Sequence, residues 1–211
     1  MNYFRPNETP PDWCELRTFS VHSLTVDEAL DQNRQAPKER VLMSAGRCQV
    51  IAGSHSQVLR AGQFFDPPED QGQWRVIGAT ADAEFVRLSG VWGAEIAGCG
   101  VWTMERDETA SDAGDPVDYP KFTRMDSHYH DYDEYWIVLE GSATAVVGGW
   151  SGVVTSGDCV IIPAGCHHDM PDVQRTMRGI FFETTLIGQK RLGHLWTHTH
   201  GPAVPSRVVA P

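Results

Sequence analysis

Four side chains that could bind a metal ion lie in two short segments of this 211-residue chain. The first segment holds His128, His130 and Glu134, and the second ends at His168. Three neutral imidazoles and one carboxylate form a mixed nitrogen and oxygen ligand set, which suits a divalent transition metal of the first row. These residue types and their spacing therefore indicate one metal site.

Strand alternation and turn residues explain how these side chains could meet. Residues two apart in a strand share a face, so His128 and His130 are expected to point the same way. Glu134 follows a short kink and opens an apolar strand, while a second strand between turn residues leads to His168. We therefore expect two strands to carry the site.

The two segments resemble the paired motifs of the cupin superfamily. The first motif, H-x-H-x3-4-E-x6-G, is matched by His128-x-His130-x3-Glu134-x6-Gly141. The second motif, G-x5-P-x-G-x2-H, is matched by Gly157-x5-Pro163-x-Gly165-x2-His168. The resemblance covers about residues 95–187 and implies an all-β fold, the double-stranded β-helix or jelly-roll cupin barrel, with the metal inside.

The same resemblance implies that His128, His130, Glu134 and His168 are the ligands of one divalent transition metal ion. Fe²⁺ is expected first, with Mn²⁺, Ni²⁺, Zn²⁺ and Co²⁺ as alternatives. The leading functional hypothesis is a non-haem dioxygenase-type oxidoreductase that acts on a small oxygen-rich or anionic metabolite. A metal-dependent sugar isomerase, epimerase or lyase is the second hypothesis, and a cupin that binds a small molecule without turnover is the third.

A weak internal repeat extends the resemblance to the first half of the chain. A shift of 95 residues pairs Gly46 with Gly141, Gly62 with Gly157, Pro68 with Pro163, and Gly93 with Gly188. The ligand positions then fall on Asn33, Gln35, Glu39 and Gln73. Because amides bind such metals weakly compared with imidazole, we expect a duplicated cupin, a bicupin, whose first half holds no metal. A single barrel with an N-terminal extension is the alternative.

The predicted organisation has four parts. They are an N-terminal extension (1–18), a degenerate cupin-like half (19–98), a metal-binding cupin domain (99–188) and a C-terminal tail (189–211). Strand signals bounded by turn residues occur at 47–51, 73–77, 143–147 and 159–162. Few helices are expected, and the clearest one covers 25–30, where Thr25 and Glu28 match a capping box.

Arg124 and Asp126 are candidates for substrate binding. If strand alternation extends backward from His128, both side chains share its inward face. The planar guanidinium of Arg124 could then pair with a substrate carboxylate or phosphate. An ion pair of Arg124 with Asp126, or one on the surface, is the alternative.

Five aromatic or apolar residues complete the candidate site. Trp102, Met104 and Trp136 are expected to line a pocket for a small ligand, although core packing explains each of them equally well. Tyr129 and Tyr132 carry phenols that could donate a proton near the metal. A surface or packing role is the alternative for both tyrosines.

Two segments outside the barrel also carry hypotheses. The acidic stretch 105–118 predicts a loop, which is either merely solvated or a mobile lid over the barrel mouth. The tail contains Trp196 and the histidines His194, His198 and His200. No cysteine or carboxylate stands near enough in sequence to complete a second metal site, so Leu195 and Trp196 are expected to dock on a barrel or on a partner subunit.

Composition limits the remaining choices. Apolar content of 41% permits a sizeable core, and a formal charge of -11 argues against nucleic acid or an anionic membrane as partner. No apolar run reaches the length of a membrane span, and the first residues are polar. The five cysteines form no C-x-x-C pair, which predicts reduced thiols. We therefore expect a cytoplasmic homodimer whose partner is a small-molecule substrate.

Overall fold

The computed structural model describes residues 2–110, 114–186 and 204–207, and this part of the chain is built from strands without any helix. The strands are β1 (Tyr3–Phe4), β2 (Leu16–Leu24), β3 (Ala29–Asn33), β4 (Lys38–Ala45), β5 (Arg47–Ala52), β6 (His55–Arg60), β7 (Phe64–Phe65), β8 (Gln73–Gly78), β9 (Ala83–Gly90), β10 (Ile96–Met104), β11 (Glu134–Val147), β12 (Trp150–Thr155), β13 (Cys159–Ile162) and β14 (His168–Thr185). The all-β prediction is therefore confirmed.

The strands are divided between two compact units. The first unit is Pro6–Trp92, and the second combines Met1–Arg5 with Gly93–Pro211. The predicted boundary at residues 98 and 99 lies inside β10, because that strand pairs with β14 from Ile96 to Met104. The predicted N-terminal extension is also divided, since β1 pairs with β13 of the second unit and β2 belongs to the first.

The first unit contains two four-stranded antiparallel sheets, ordered β2-β9-β4-β7 and β3-β8-β5-β6. Alternate residues of β5, namely Cys48, Val50 and Ala52, are buried, as expected for a strand with one face on the core. They pack with Val41, Met43, Leu59, Trp74, Val76 and Phe85. The predicted strands at 47–51 and 73–77 correspond to β5 and β8.

The second unit is a sheet ordered β1-β13-β11-β14-β10, with β12 added to β11. The two long strands β11 and β14 pair along their whole length, and register shifts after Val138 and Thr144 bend them. Bends of this kind let one pair of strands contribute to both walls of a small barrel. The interior is apolar and includes Trp136, Val138, Val160, Ile162, Met170 and Met177.

Strand pairing in the two units follows the offset of 95 residues found in the sequence. His55–Arg60 (β6) corresponds to Trp150–Thr155 (β12) without any shift. Cα partners in the first unit recur 95 residues later in the second. The pair Arg47–Arg60 recurs as Ser142–Thr155, Val41–Phe65 as Trp136–Val160, and Cys48–Gly78 as Ala143–Val173. Turn glycines with positive φ also recur, as in Gly46 (φ 62) and Gly141 (φ 82). The two units therefore share strand order and the register of these pairs, whereas β9 is displaced by one residue, since Glu39 pairs with Ser89 and Glu134 with Glu183.

The helix predicted at 25–30 is not present. Thr25 and Glu28 do interact, since the Glu28 carboxylate accepts hydrogen bonds of 2.9 Å from both the amide and the hydroxyl of Thr25. Asp27, however, has a φ of 63°, which turns the chain into β3 at Ala29. The residues that follow pair with β8, so Thr25 and Glu28 close a tight turn here instead of beginning a helix.

Several predictions concern residues outside the described ranges. Gly188, His194, Leu195, Trp196, His198 and His200 belong to this group, as does most of the predicted tail. The homodimer and the cytoplasmic location stay predictions. No disulfide joins the cysteines within the described residues, in agreement with the predicted thiols. Across 2–110, 114–186 and 204–207, no helix has the length and hydropathy needed to cross a bilayer.

Candidate metal centre

The structure brings the four predicted ligands together in the second unit. One ligand atom from each of His128, His130, Glu134 and His168 lies within 4.8 Å of all the others. Glu134 begins β11 and His168 begins β14, while His128 and His168 form an antiparallel bridge through their backbones. The ends of two strands and one bridged segment therefore hold the site.

Hydrogen bonds to the backbone fix the orientation of all three imidazoles. Each ring has its Nδ1 2.9 Å from a main-chain carbonyl oxygen: His128 from Asp126, His130 from Tyr132, and His168 from Cys166. A carbonyl can only accept, so each ring donates from Nδ1. In the neutral imidazole this leaves Nε2 as an acceptor with a lone pair, which is the form that binds metals.

The Nε2 atoms then face one another and a carboxylate. The Nε2 atoms of His128 and His168 are 3.2 Å apart, and Glu134 Oε2 lies 2.9 Å from His130 Nε2 and 3.3 Å from His168 Nε2. Acceptors this close repel one another unless positive charge lies among them. A proton on one ring would satisfy one contact, whereas a divalent cation would satisfy all four donors. The residues therefore fit a divalent metal ion.

The charge states of the ligands agree with this assignment. Glu134 is only 5% exposed, and its burial opposes ionisation, but its interactions with His130 and His168 prevail and hold its pKa well below the usual value. Burial, and then the proximity of His168, lower the pKa of His128. An ionised carboxylate and a neutral imidazole are the forms that bind a metal ion.

Trp136 supports the ligand Glu134. Its indole N–H donates to Glu134 Oε1 at 2.8 Å, and its ring meets the His168 ring edge-on with centroids 5.4 Å apart. The side chain is buried and is enclosed by the barrel core. Trp136 therefore holds one carboxylate oxygen so that the other faces the imidazoles, and its predicted contact with a substrate stays a prediction.

The two predicted catalytic tyrosines occupy different surroundings. Tyr132 is buried and stacks on the His130 ring, with centroids 4.0 Å apart and an interplanar angle of 13°. Tyr129 meets the ring of His167 edge-on at 5.0 Å, and His167 in turn contacts Asp115. Tyr132 therefore packs against the candidate ligand His130, while Tyr129 packs against His167, which precedes the candidate ligand His168 in the sequence. Proton donation stays a prediction for both.

Arg124 lies on the surface instead of the barrel interior. The segment before His128 forms only an isolated bridge, so strand alternation does not extend to residue 124. The Arg124 side chain is 78% exposed and its Nε donates to Asp107 Oδ2 at 2.7 Å. Hydrogen bonds from Thr109 and Arg124 lower the pKa of Asp107 to about 2. The surface ion pair, the alternative in the sequence interpretation, is what the structure contains.

Three further residues predicted to bind substrate are Asp126, Trp102 and Met104, and they have different neighbours in the structure. Asp126 positions His128 through its carbonyl, and its carboxylate Oδ2 lies 3.7 Å from the same ring nitrogen. Trp102 and Met104 pack against the barrel core, with the Trp102 ring 5.5 Å from that of Trp136. Trp102 and Met104 therefore belong to the wall of the same barrel, and their contact with a substrate stays a prediction.

Within the described residues, Cys166 is a buried thiol and the acidic stretch 105–118 makes backbone hydrogen bonds to the segment before His128. Burial, and then the charge of Asp133, raise the pKa of the Cys166 thiol to about 11, and Cys166 does not belong to the group of four converging residues. The acidic stretch 105–118 is tied down by backbone hydrogen bonds from Asp107 to Phe122 and from Asp115 to Ser127. Residues 111–113 are outside the described ranges, and the lid stays a prediction.

We expect Trp136→Phe to weaken metal affinity about tenfold, because partners outside the ligand shell contribute about 10–100-fold to metal binding. The substitution keeps an aromatic ring in the core but leaves Glu134 Oε1 buried without its donor. Trp102→Phe is a matched control, since Trp102 Nε1 has no hydrogen-bond partner among the described residues. Metal retained during dialysis against a chelator measures the difference. Equal retention in both variants would contradict a role for the indole N–H.

Comparison with known proteins agrees with the fold and the motifs. A family model described as a cupin domain matches residues 117–174. The uncharacterized protein y4oW of Sinorhizobium fredii is 46% identical over 210 residues, which cover 99% of this chain and 97% of that protein. The relative therefore matches both units, whereas the family model covers only the segment that holds the ligands.

Solved structures with this fold have diverged far in sequence. The conserved protein of unknown function PA5104 from Pseudomonas aeruginosa PAO1 is 14% identical, with a TM-score of 0.54 and 87% of each chain covered. An iolb-like protein from Salmonella typhimurium is 14% identical, with a TM-score of 0.53 and 95% and 98% covered. Oxalate decarboxylase from Bacillus subtilis, which has Mn(II) centres, is 11% identical, with a TM-score of 0.50 and 82% and 70% covered. Likeness at these identities shows the fold alone.

Proposed function

This chain belongs to the cupin superfamily, and we propose that it is a metal-dependent cupin enzyme that acts on a small oxygen-rich metabolite. One observation carries the proposal. Three Nε2 lone pairs, each fixed by a hydrogen bond at Nδ1, and one ionised carboxylate oxygen converge within 4.8 Å. Such an arrangement is the ligand set for one divalent ion.

We propose Fe²⁺ as the metal and a dioxygen-dependent oxidation as the reaction. A ferrous ion would supply redox chemistry and open positions for substrate and dioxygen. His128, His130, Glu134 and His168 would hold it, and Trp136 would keep Glu134 oriented. The apolar side chains of the barrel interior would limit the access of water to this point.

We also propose that the first unit is a degenerate cupin that holds no metal, so that the chain is a bicupin. Shared strand register at an offset of 95 residues supports this. Glu39, the counterpart of Glu134, is already neutralised by Arg87, whose Nε and Nη2 each lie 2.9 Å from its oxygens. Gln73 donates to Asn33 at 2.9 Å, so two of the amides at ligand positions bind each other.

Metal analysis combined with oxygen uptake tests the proposed activity. Protein purified without chelators should contain close to one iron per chain, and the ferrous protein should consume dioxygen with a member of a panel of catechols, diketones and thiols. His168→Ala should have neither metal nor uptake. Zinc, manganese or nickel without oxygen uptake would contradict the oxidation and favour isomerase or lyase chemistry. No metal at all would overturn the proposed enzyme.

A further inference from the structure

A buried ion pair lies next to the candidate ligands without belonging to their group of four. The side chains of Lys121 and Asp169 are both 0% exposed, and the ammonium lies 2.9 Å and 3.0 Å from the two carboxylate oxygens. Asp169 directly follows the candidate ligand His168 in β14. Burial of two opposite charges is costly unless further hydrogen bonds satisfy both groups.

The further hydrogen bonds of this pair join two parts of the second unit. Lys121 Nζ also donates to the main-chain carbonyl of Met125. The Tyr119 hydroxyl donates to Asp169 Oδ2 at 3.0 Å. Because Asp169 is in β14, the ion pair connects the segment before His128 to the start of that strand.

His128 depends on this segment more than the other candidate ligands do. Glu134 and His168 lie in β11 and β14, and the carbonyl of His130 accepts from the amide of Gly165 at 2.6 Å. His128 lies outside the strands and forms an isolated bridge with His168, whose two hydrogen bonds are 2.9 Å and 3.3 Å long. The position of the His128 ring therefore depends on the main chain that precedes it.

We infer that Lys121 and Asp169 are positioning residues: their ion pair fixes the chain before His128 and thereby sets the affinity of the site for its metal. This inference rests on the proposed metal-dependent function. The ammonium holds the carbonyl of Met125, and the next residue, Asp126, offers the carbonyl that accepts from His128 Nδ1. Asp169 anchors this connection to β14. Loss of the pair would free the carbonyl that orients the His128 imidazole.

The first unit has apolar residues at the corresponding positions. At the offset of 95 residues, Val26 corresponds to Lys121 and Trp74 to Asp169. Val26 is 53% exposed, and Trp74 is buried in the core of the first unit. Apolar side chains of similar volume often stabilise a protein as well as a buried ion pair does, so stability alone gives little reason for the pair. Its presence in the unit that contains the candidate ligands agrees with a role in holding one of them.

Co²⁺ affinity tests the inference without turnover. Lys121→Met removes the ammonium and keeps most of the length of the side chain. The variant should bind Co²⁺ about tenfold more weakly than wild type, because partners outside the ligand shell contribute about 10–100-fold to metal binding. Competition with a chelator measures this affinity. The visible spectrum of the Co²⁺-loaded variant should also shift toward that of His128→Ala, since both variants lack one fixed imidazole.

Arg124→Met is the matched control. It removes a cation from the same segment, but the Arg124 side chain is 78% exposed and pairs with Asp107 on the surface. Co²⁺ affinity should therefore stay within about twofold of wild type. A loss equal to that in Lys121→Met would overturn the inference, because burial of the ion pair would then make no difference.

A double-mutant cycle determines whether Lys121 acts through His128. In protein that already carries His128→Ala, Lys121→Met should change Co²⁺ affinity by less than about twofold, because the ring that the pair positions is gone. Direct titration at higher Co²⁺ concentrations measures this weaker site. The same loss of affinity in both backgrounds would mean two independent effects and would overturn the inference.

A second variant separates positioning from stability. Lys121→Met leaves Asp169 buried without its counter-ion, which destabilises the barrel. Its combination with Asp169→Leu removes both charges and should recover most of the stability. The hydrogen bond to the Met125 carbonyl is still absent, so Co²⁺ affinity should remain about tenfold weaker. Recovery of both stability and affinity would overturn the inference, since the pair would then matter for folding alone.

The outcomes separate this inference from the proposed function. Wild-type protein that takes up no Co²⁺ and contains no metal overturns the proposed function, and the inference with it. Wild-type protein that binds Co²⁺ no more tightly than Lys121→Met overturns the inference alone.

Discussion

Alanine at His130 is expected to yield folded protein almost free of metal. The substitution removes one of three nitrogen donors. Substitution of a residue outside the ligand shell weakens metal affinity by up to about 100-fold, and loss of a ligand should weaken it more. Glu134→Ala should have the same result, because Glu134 supplies the only carboxylate oxygen in the four-residue group. Inductively coupled plasma mass spectrometry of protein purified without chelators measures metal per chain.

Gln35→Ala is the control for this experiment. Gln35 precedes His130 by the offset of 95 residues, so it occupies the corresponding position in the first unit. Its backbone amide donates to Glu39 at 2.7 Å, and this contact survives the substitution. Metal content should equal that of wild type. Equal loss of metal in His130→Ala and Gln35→Ala would contradict a site confined to the second unit.

The four candidate ligands could be predicted from the sequence because the geometry of the three histidines is mostly local. His128 and His130 are two residues apart, and each Nδ1 binds a carbonyl two residues away along the chain. His168 binds the carbonyl of Cys166 in the same manner. Short-range rules of this kind are encoded in the spacing itself. Only the meeting of the two motifs required the fold, and the match to both cupin motifs predicted it.

Residues outside the motifs were harder to place because they depend on strand pairing. Alternation indicated that Trp136 points inward, but its donation to Glu134 depends on a rotamer that spacing does not specify. Arg124 was misplaced because alternation was extended into a segment that contains no strand. A glycine at 114 and prolines at 116 and 120 were signals of irregular structure there.

The buried pair of Lys121 and Asp169 shows what long-range contacts add. In the sequence Lys121 resembles an ordinary loop lysine. Its partner Asp169 is 48 residues later, and only the packing of the segment before His128 on β14 brings the two together. The helix predicted at 25–30 from Thr25 and Glu28 was wrong for a related reason. The pairing of β3 with β8 overrides this local helix signal.

Arg87→Ala is expected to lower the free energy of unfolding of the first unit by about 3–5 kcal/mol, the range for breaking a buried ion pair. The Arg87 and Glu39 side chains are 5% and 0% exposed. Besides both Glu39 oxygens, Arg87 binds Gln32 at 2.6 Å and the carbonyl of Asn33 at 2.5 Å, and it lies 4.9 Å from the centre of the Trp74 ring. Without the guanidinium, the Glu39 carboxylate is left buried without its counter-ion.

Two further variants separate the buried charge from general damage. Arg75→Ala removes a guanidinium from Asp31 in the same unit, but those side chains are 52% and 70% exposed, so the loss of stability should be much smaller than in Arg87→Ala. Glu39→Leu combined with Arg87→Leu removes both buried charges and should recover most of the stability. Hydrogen exchange of peptides from β4 and β9 under increasing urea reports the first unit separately. Equal destabilisation by Arg87→Ala and Arg75→Ala would mean that Glu39 does not depend on an internal cation. The proposed contrast with Glu134 in the candidate metal centre would then be contradicted.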